Sequence, residues 1–373
     1  MPIRICFPFT DGMVGGSHIS ALTMLRELDP ARFEPKVLLS GPEGDLGRML
    51  QDEGIPYSRI AMPDPSSETL FGITSSVRAA IAHLKEGGFD YVHTNEGRNH
   101  VVWGLAAKMA GVEQVWHHRG HPRAKGLRFV APLTARAVVS VSHYASPQPS
   151  NYSAGDRCRV IHSPFDTSCA DIDRNESRRE ALEELGFDTD SFIVGFFAQF
   201  GDRKRPETFV EAIAAALREN PERKLYGLLF GEEYEAGFEE KVRKAIENNG
   251  LQERVLMMGF RKPAERWIAA CDALLVPAVN EPFGRTLVEA MLVGTPVVAA
   301  ASGGNIEAIE HGETGLLAKA DDPEDMAKQL ALLDDDPALG ARIAANARKH
   351  ALSSFGISKH VRAIEELYTE IAA

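Results

Sequence analysis

Short runs of four to eight apolar residues alternate with longer amphipathic stretches along nearly the whole chain, and this rhythm is the strongest constraint on its fold. Ile3–Phe9, Val37–Ser40, Tyr91–Thr94, Val112–His117 and Ala137–Ser142 read as strands, with helices over Gly16–Leu28, Asp45–Glu53 and Val101–Ala110. The rhythm restarts after residue 190, with strands at Phe192–Ala198, Leu225–Phe230, Val255–Met258, Ala273–Val276 and Pro296–Ala300. Helices are expected between them, over Glu207–Glu219 and Tyr234–Asn249 among others. Strands that are apolar on both faces, each followed by a helix, imply an α/β fold of parallel sheets covered on both sides. A chain of 373 residues exceeds one ordinary core and suits two doubly wound domains. Periodicity is weakest over Ser163–Arg179 (SPFDTSCADIDRNESRR), which places the boundary there: a first domain over 1–165 and a second over 166–355. Two such domains on a hinge leave a cleft, and ligands of open α/β sheets sit outside the carboxyl ends of the strands.

Composition narrows the setting. The chain is 44% hydrophobic and 25% charged, which excludes disorder and fibrous repeats. The start, MPIRICFPFTDGMVGG, reads as a strand and a Gly-rich turn rather than a signal peptide, and no run is long enough to span a membrane. Four cysteines without metal spacing suit a reducing cytoplasm. The net charge of −12 disfavours nucleic acid as a partner. It is unevenly spread, because residues 1–166 carry 17 basic against 16 acidic residues. No acid occurs between Glu113 and Asp156, where Arg119, Arg123, Lys125, Arg128 and Arg136 fall. This strip can attract anions, which points to a phosphate-bearing ligand or to peripheral contact with the anionic inner face of the cell membrane.

The most informative stretch is Val276–Ala300, VPAVNEPFGRTLVEAMLVGTPVVAA. A strand ends near Pro277, a loop carries Glu281, and a helix opens near Phe283–Gly284. From Thr286 to Val298 Glu289 is the only charged residue, and a buried unpaired carboxylate is costly, so it faces a ligand or a hidden partner. The free N–H groups of Gly284, Arg285 and Thr286 form an anion site at the helix start. A diphosphate there would put an attached sugar near Glu281 and a ribose near Glu289. Other features are ordinary alone: Gly15–Gly16 fits a tight turn and Lys204–Arg205 a solvated helix start. His117, His118 and His121 suggest a metal at first sight, but neighbours on a strand point to opposite faces and no carboxylate is near in sequence, so no metal site is expected. Neither GxGxxG after a strand nor GxxxxGK[ST] occurs, which leaves dinucleotide-redox and P-loop chemistry unsupported.

Glu281 and Glu289 with seven residues between them, PFG, and the following GTPVVA resemble the signature of retaining GT-B glycosyltransferases of family four. Ala301–Leu317 (ASGGNIEAIEHGETGLL), Val255–Phe260 (VLMMGF) and MVGGSHISALTML near the start are also similar to that family, so the resemblance covers almost the whole chain. It implies two Rossmann-like domains, the first binding acceptor and the second a nucleotide-diphosphate sugar, on family frequency a UDP-sugar. Segment 356–373 is implied to be a helix packing back on the first domain. Glu281 is implied to contact the transferred sugar, and Glu289 the ribose. Phe283, Gly284, Arg285 and Thr286 would line the sugar and phosphates, Lys204 would neutralise the diphosphate, and Gly259 and Phe260 would lie against the base. Gly15 and Gly16 would let backbone approach the phosphates. Two positions depart from the family pattern. Gln199 stands where an arginine usually holds the diphosphate, leaving Arg203 or Arg205 to replace it. Arg119, flanked by His118 and His121, stands where a histidine usually lies beside the reacting sugar. The resemblance implies front-face transfer to a glycan, lipid-linked or small acceptor, with no nucleophilic side chain and, without a DxD between a strand and its loop, no metal. A nucleotide-sugar epimerase of the same architecture, or a binding protein that kept the donor site, are the alternatives.

Overall fold

The structure is a computed structural model and describes residues 1–62, 70–150 and 152–372. The chain divides into two compact units, Met1–Pro164 with Ile357–Ala373, and Phe165–Gly356.

The first unit runs β1 (Ile3–Thr10), α1 (Gly16–Glu27), β2 (Phe33–Ser40), α2 (Asp45–Asp52), β3 (Tyr57–Ile60), α3 (Leu70–Gly87), β4 (Tyr91–Thr94) and α4 (Asn99–Ala110). It continues with β5 (Glu113–His118), α5 (Lys125–Phe129), α6 (Ala131–Thr134), β6 (Ala135–Ser140) and β7 (Cys158–Val160). Seven strands form one sheet in the order β3-β2-β1-β4-β5-β6-β7, parallel throughout. Ile5, Phe7 and Phe9 on β1 and Trp103 on α4 are fully buried on either side of it.

The second unit holds α7 (Arg174–Leu185), β8 (Phe192–Phe197), α8 (Pro206–Glu219), β9 (Leu225–Phe230), α9 (Phe238–Asn248), β10 (Val255–Gly259) and α10 (Ala264–Ala270). Then follow β11 (Ala273–Val276), α11 (Arg285–Val293), β12 (Val297–Ala300), α12 (Asn305–Ala308), β13 (Leu316–Ala318), α13 (Pro323–Asp335) and α14 (Pro337–Ser354). Its six parallel strands are ordered β10-β9-β8-β11-β12-β13. The core is led by Phe196, Phe200, Phe209 and Val242. Asp173, Asp322 and Asp336 cap α7, α13 and α14 through their side chains.

The last helix, α15 (Ile357–Ala372), belongs to the first unit. It packs on α1, buries Ile364 and Tyr368 completely, and its Glu365 accepts from Asp29 N at 2.9 Å. Among the described residues no helix is long and apolar enough to cross a membrane.

Each sheet changes winding direction at one place, between β1 and β4 in the first and between β8 and β11 in the second. Loops leaving the carboxyl ends of those paired strands diverge to opposite faces and open a crevice between them. The sequence places Asp11–Gly16 and Asn95–Arg98 there in the first unit, and Gln199–Arg205 and Pro277–Gly284 in the second.

Candidate active site

In the second unit β8 leads through exposed Gln199 and buried Phe200 into a 3₁₀ turn over Asp202–Lys204. Arg205 closes that turn in the left-handed region, at φ 56°, and Pro206 opens α8 at a position where its missing N–H costs nothing. Asp321 and Asp202 hold the Arg205 guanidinium at 2.8 and 2.6 Å, so this arginine is committed to the turn. The two preceding side chains point the other way. Arg203 Nη1 lies 2.5 Å and Lys204 Nζ 2.7 Å from Glu281 Oε2. Val279 N donates to Arg203 O at 3.0 Å, which ties the turn to the loop after β11.

Glu281 is only 6% exposed. Burial pushes its carboxyl up, but Lys204 and Arg203 outweigh it and hold the group below the usual carboxylate range. Its backbone is fixed by the loop after β12: Gly304 N donates to Glu281 O at 2.7 Å, and Asn280 N donates to Ser302 Oγ at 2.9 Å. Gly303 sits at φ 60°, and a Cβ there would lie 2.5 Å from Glu281 O. Only glycine combines that conformation with that approach.

Helix α11 starts at Arg285 with Gly284 as its cap residue, no side-chain cap and no acid in its first turn. The first N–H groups of such a helix have no partner within it, and its dipole favours an anion there. Phe283, 7% exposed, is held by Phe355 and Phe165, with ring centroids 5.4 and 6.3 Å away. The Arg285 guanidinium lies 4.6 Å over the Phe165 ring and 3.3 Å from Glu289 Oε1. Burial raises the Glu289 carboxyl against the pull of Arg285, with Glu265 adding to the rise. Glu281, before α11, and Glu289, one turn into it, therefore have opposite tendencies, the first held ionised and the second protonating more readily. Thr286 lies in the same first turn. Gly259 ends β10 at φ 65°, its carbonyl accepts from Gly231 N, and Phe260 beside it is 65% exposed.

In the first unit strand parity separates the histidines of β5. His117 points to one face, where its Nδ1 is 3.1 Å from His93 Nε2 and its ring stacks on His360 at 5.9 Å. His118 points to the other, with its Nε2 3.1 Å from His121 O, and burial lowers it to about 4, so it is neutral near pH 7. Arg119 donates to Ser163 Oγ at 3.0 Å. His118 and Arg119 both line a pocket of about 540 Å³ with Ser17, Glu96, His100, Trp116 and Lys125.

Glu96 and His18 are functional candidates that sequence reasoning missed. Glu96 Oε1 accepts from Thr10 N at 2.7 Å and Asn99 Nδ2 at 2.9 Å, and its Oε2 lies 2.6 Å from His18 Nε2. Gly15 N donates to His18 Nδ1 at 3.0 Å, which leaves the proton on Nε2 to face the carboxylate. The turn carrying Gly15 and Gly16 is thereby linked to a carboxylate on the pocket wall. The available signal was position alone: Glu96 follows β4, one of the two strands at the winding change.

Two family models match consecutive parts of the chain: the glycosyl transferase 4-like domain over residues 15–166 and glycosyl transferases group 1 over residues 177–350. The D-inositol 3-phosphate glycosyltransferase of Streptomyces scabiei is 27% identical over 405 residues, spanning 96% of this chain and 87% of its own. That of Streptomyces avermitilis is 29% identical over 351 residues, spanning 84% and 72%. Anabaena Alr3699/HepE in complex with UDP superposes at a TM-score of 0.84 and 24% identity, over 99% of this chain and 100% of that one. A glycosyltransferase of Rickettsia africae superposes at 0.83 and 19% identity, over 100% and 99%. Two parallel-sheet α/β units matching these structures define a GT-B fold. The chain belongs to the glycosyltransferases, in the family-four type of the GT-B enzymes.

Proposed function

We propose that this glycosyltransferase moves a sugar from UDP to a hydroxyl of a phosphate-bearing acceptor, with retention at the anomeric carbon and without a metal. The observation that carries the donor half is the convergence of Arg203 and Lys204 on Glu281 beside the uncapped start of α11. A diphosphate at that helix start would draw the two cations from Glu281 onto its oxygens. The freed carboxylate would turn to the sugar hydroxyls, and Glu289 would take the ribose. The bond from the anomeric carbon to the phosphate oxygen breaks with its electron pair going to the phosphate. Lys204, Arg203 and the helix N–H groups stabilise that charge. The acceptor oxygen bonds on the same face, and its proton passes to the departing phosphate. Two cations and a helix dipole supply the positive charge that a divalent ion would otherwise bring.

The acceptor half rests on the pocket of the first unit. Glu96 and Asn95 offer hydrogen-bond acceptors to hydroxyls, Trp116 an apolar wall, and Arg98 and Lys125 cations for an anion. Relatives named for D-inositol 3-phosphate support a phosphate-bearing polyol, and a structural neighbour solved with UDP-glucose supports a UDP-sugar donor. The test is UDP release from a panel of UDP-sugars with and without inositol phosphates, in chelator, with product configuration read by NMR. Acceptor-dependent release of UDP and an anomer matching the donor are expected. An inverted product, or activity lost in chelator and restored by Mn²⁺, would overturn the corresponding part.

A further inference from the structure

We infer that the first unit docks on an anionic lipid surface through the outer face of α5 and α6. The basic strip sorts into two sets once its contacts are known. Arg119 donates to Ser163, Arg136 to the Ile371 carbonyl, and Arg157 to the Ala135 and Pro132 carbonyls, so these arginines serve the fold. Arg123, Lys125 and Arg128 are exposed, and among the described residues no carboxylate pairs with them. No acid occurs from residue 114 to 155 to offset them, although the chain as a whole is strongly acidic.

The same face carries apolar bulk. Leu127 and Ala131 point inward and are buried with Trp116, whereas Phe129 and Leu133, four residues apart, are 53% and 54% exposed. The Arg128 guanidinium lies 5.2 Å from the Phe129 ring centroid. Exposed apolar residues are common singly. Their placement among three unneutralised cations is what selects the partner. An anionic bilayer takes both features at once, phosphates on the cations and acyl chains around the aromatic and leucine side chains. Nucleic acid would use the cations and leave Phe129 and Leu133 in water.

Docking this way has a consequence that rests on the proposed transfer. Lys125, Gly126 and Leu127 of α5 also line the acceptor pocket, so the pocket would open near the headgroup layer, where phosphate-bearing hydroxyl compounds are presented.

The test is sedimentation of the full chain with phosphatidylcholine vesicles, with and without phosphatidylglycerol, at low and high salt. Binding to the anionic vesicles alone, released by salt, is expected. Arg123→Ala with Arg128→Ala should weaken it about 30-fold, at about fivefold per charge. Phe129→Ser with Leu133→Ser should weaken vesicle binding while leaving retention on heparin unchanged. Failure to bind anionic vesicles, equal binding to neutral ones, or indifference to the Phe129 and Leu133 changes would overturn the inference; the last result would mark a general polyanion surface. All variants should keep the wild-type melting temperature and UDP affinity. Vesicle binding needs no donor or turnover, so absence of UDP binding by the wild type would count against the transfer reading and leave docking untouched.

Discussion

Lys204 Nζ stands 2.7 Å from Glu281 Oε2, the same oxygen that Arg203 approaches at 2.5 Å. One carboxylate oxygen thus stores two cations that a diphosphate could claim. Glu281→Gln removes their competitor, so UDP affinity should stay the same or rise while kcat falls about 100-fold or more, the scale for losing an electrostatic contact made in the transition state. Lys204→Ala should weaken UDP binding about 10- to 100-fold, as expected for a charge-assisted hydrogen bond. Calorimetry and initial rates check both. UDP affinity that falls with Glu281→Gln and holds with Lys204→Ala would reverse the roles.

Gly303 positions Glu281 by allowing direct backbone approach. Gly303→Ala forces a Cβ against Glu281 O at a left-handed φ and should destabilise the chain by about 1–3 kcal/mol. The surviving folded protein should lose kcat in larger proportion than UDP affinity. Equal losses of both would mean that Gly303 serves folding alone.

Buried histidines make the first unit sensitive to acid. His93 and His117 are held well below their usual range by burial and then by Arg119, and His360 is lowered from 6.5 to about 3 by the same two causes. His360 sits on α15, where its Nδ1 meets His162 O at 2.7 Å. Each of these rings binds fewer protons folded than unfolded, so stability is complete above about pH 6.5 and declines as pH falls from there. For His360 on the order of 2 kcal/mol is at stake between pH 6.5 and about 5. Melting curves should shift down over that interval, and His360→Gln should flatten the shift. A melting temperature independent of pH there would refute the assignment.

Glu96→Gln keeps an acceptor for Thr10 N and loses the charge facing His18. With the pocket read as the acceptor site, KM for acceptor should rise about tenfold, the scale of one charged hydrogen bond, while UDP affinity is unchanged. An unchanged acceptor KM would remove Glu96 from that site.

The two sheets were legible because their central strands are continuous apolar runs, as at Ile193–Phe197 and Val297–Ala300, which only burial on both faces explains. Edge strands were not: β3 (YSRI) and β7 (CRV) are half-exposed and carry no such run. The short helices α5, α6, α10 and α12 last one to two turns, too few for a period to show. Parity along β5 already separated His117 from His118. The pairing of Lys204 with Glu281 spans 77 positions and follows only from β8 lying beside β11. Likewise His18 and Glu96 meet because β1 lies beside β4, which local pattern does not encode.

Glu289 offers the most direct measurement. If a nucleotide diphosphate lies along the start of α11, calorimetric titration with UDP should show Glu289→Ala binding about 10- to 100-fold more weakly than the wild type, with the fold and melting temperature kept. Wild-type affinity in Glu289→Ala would mean that the nucleotide binds elsewhere, and the donor site described for the second unit would fall with it.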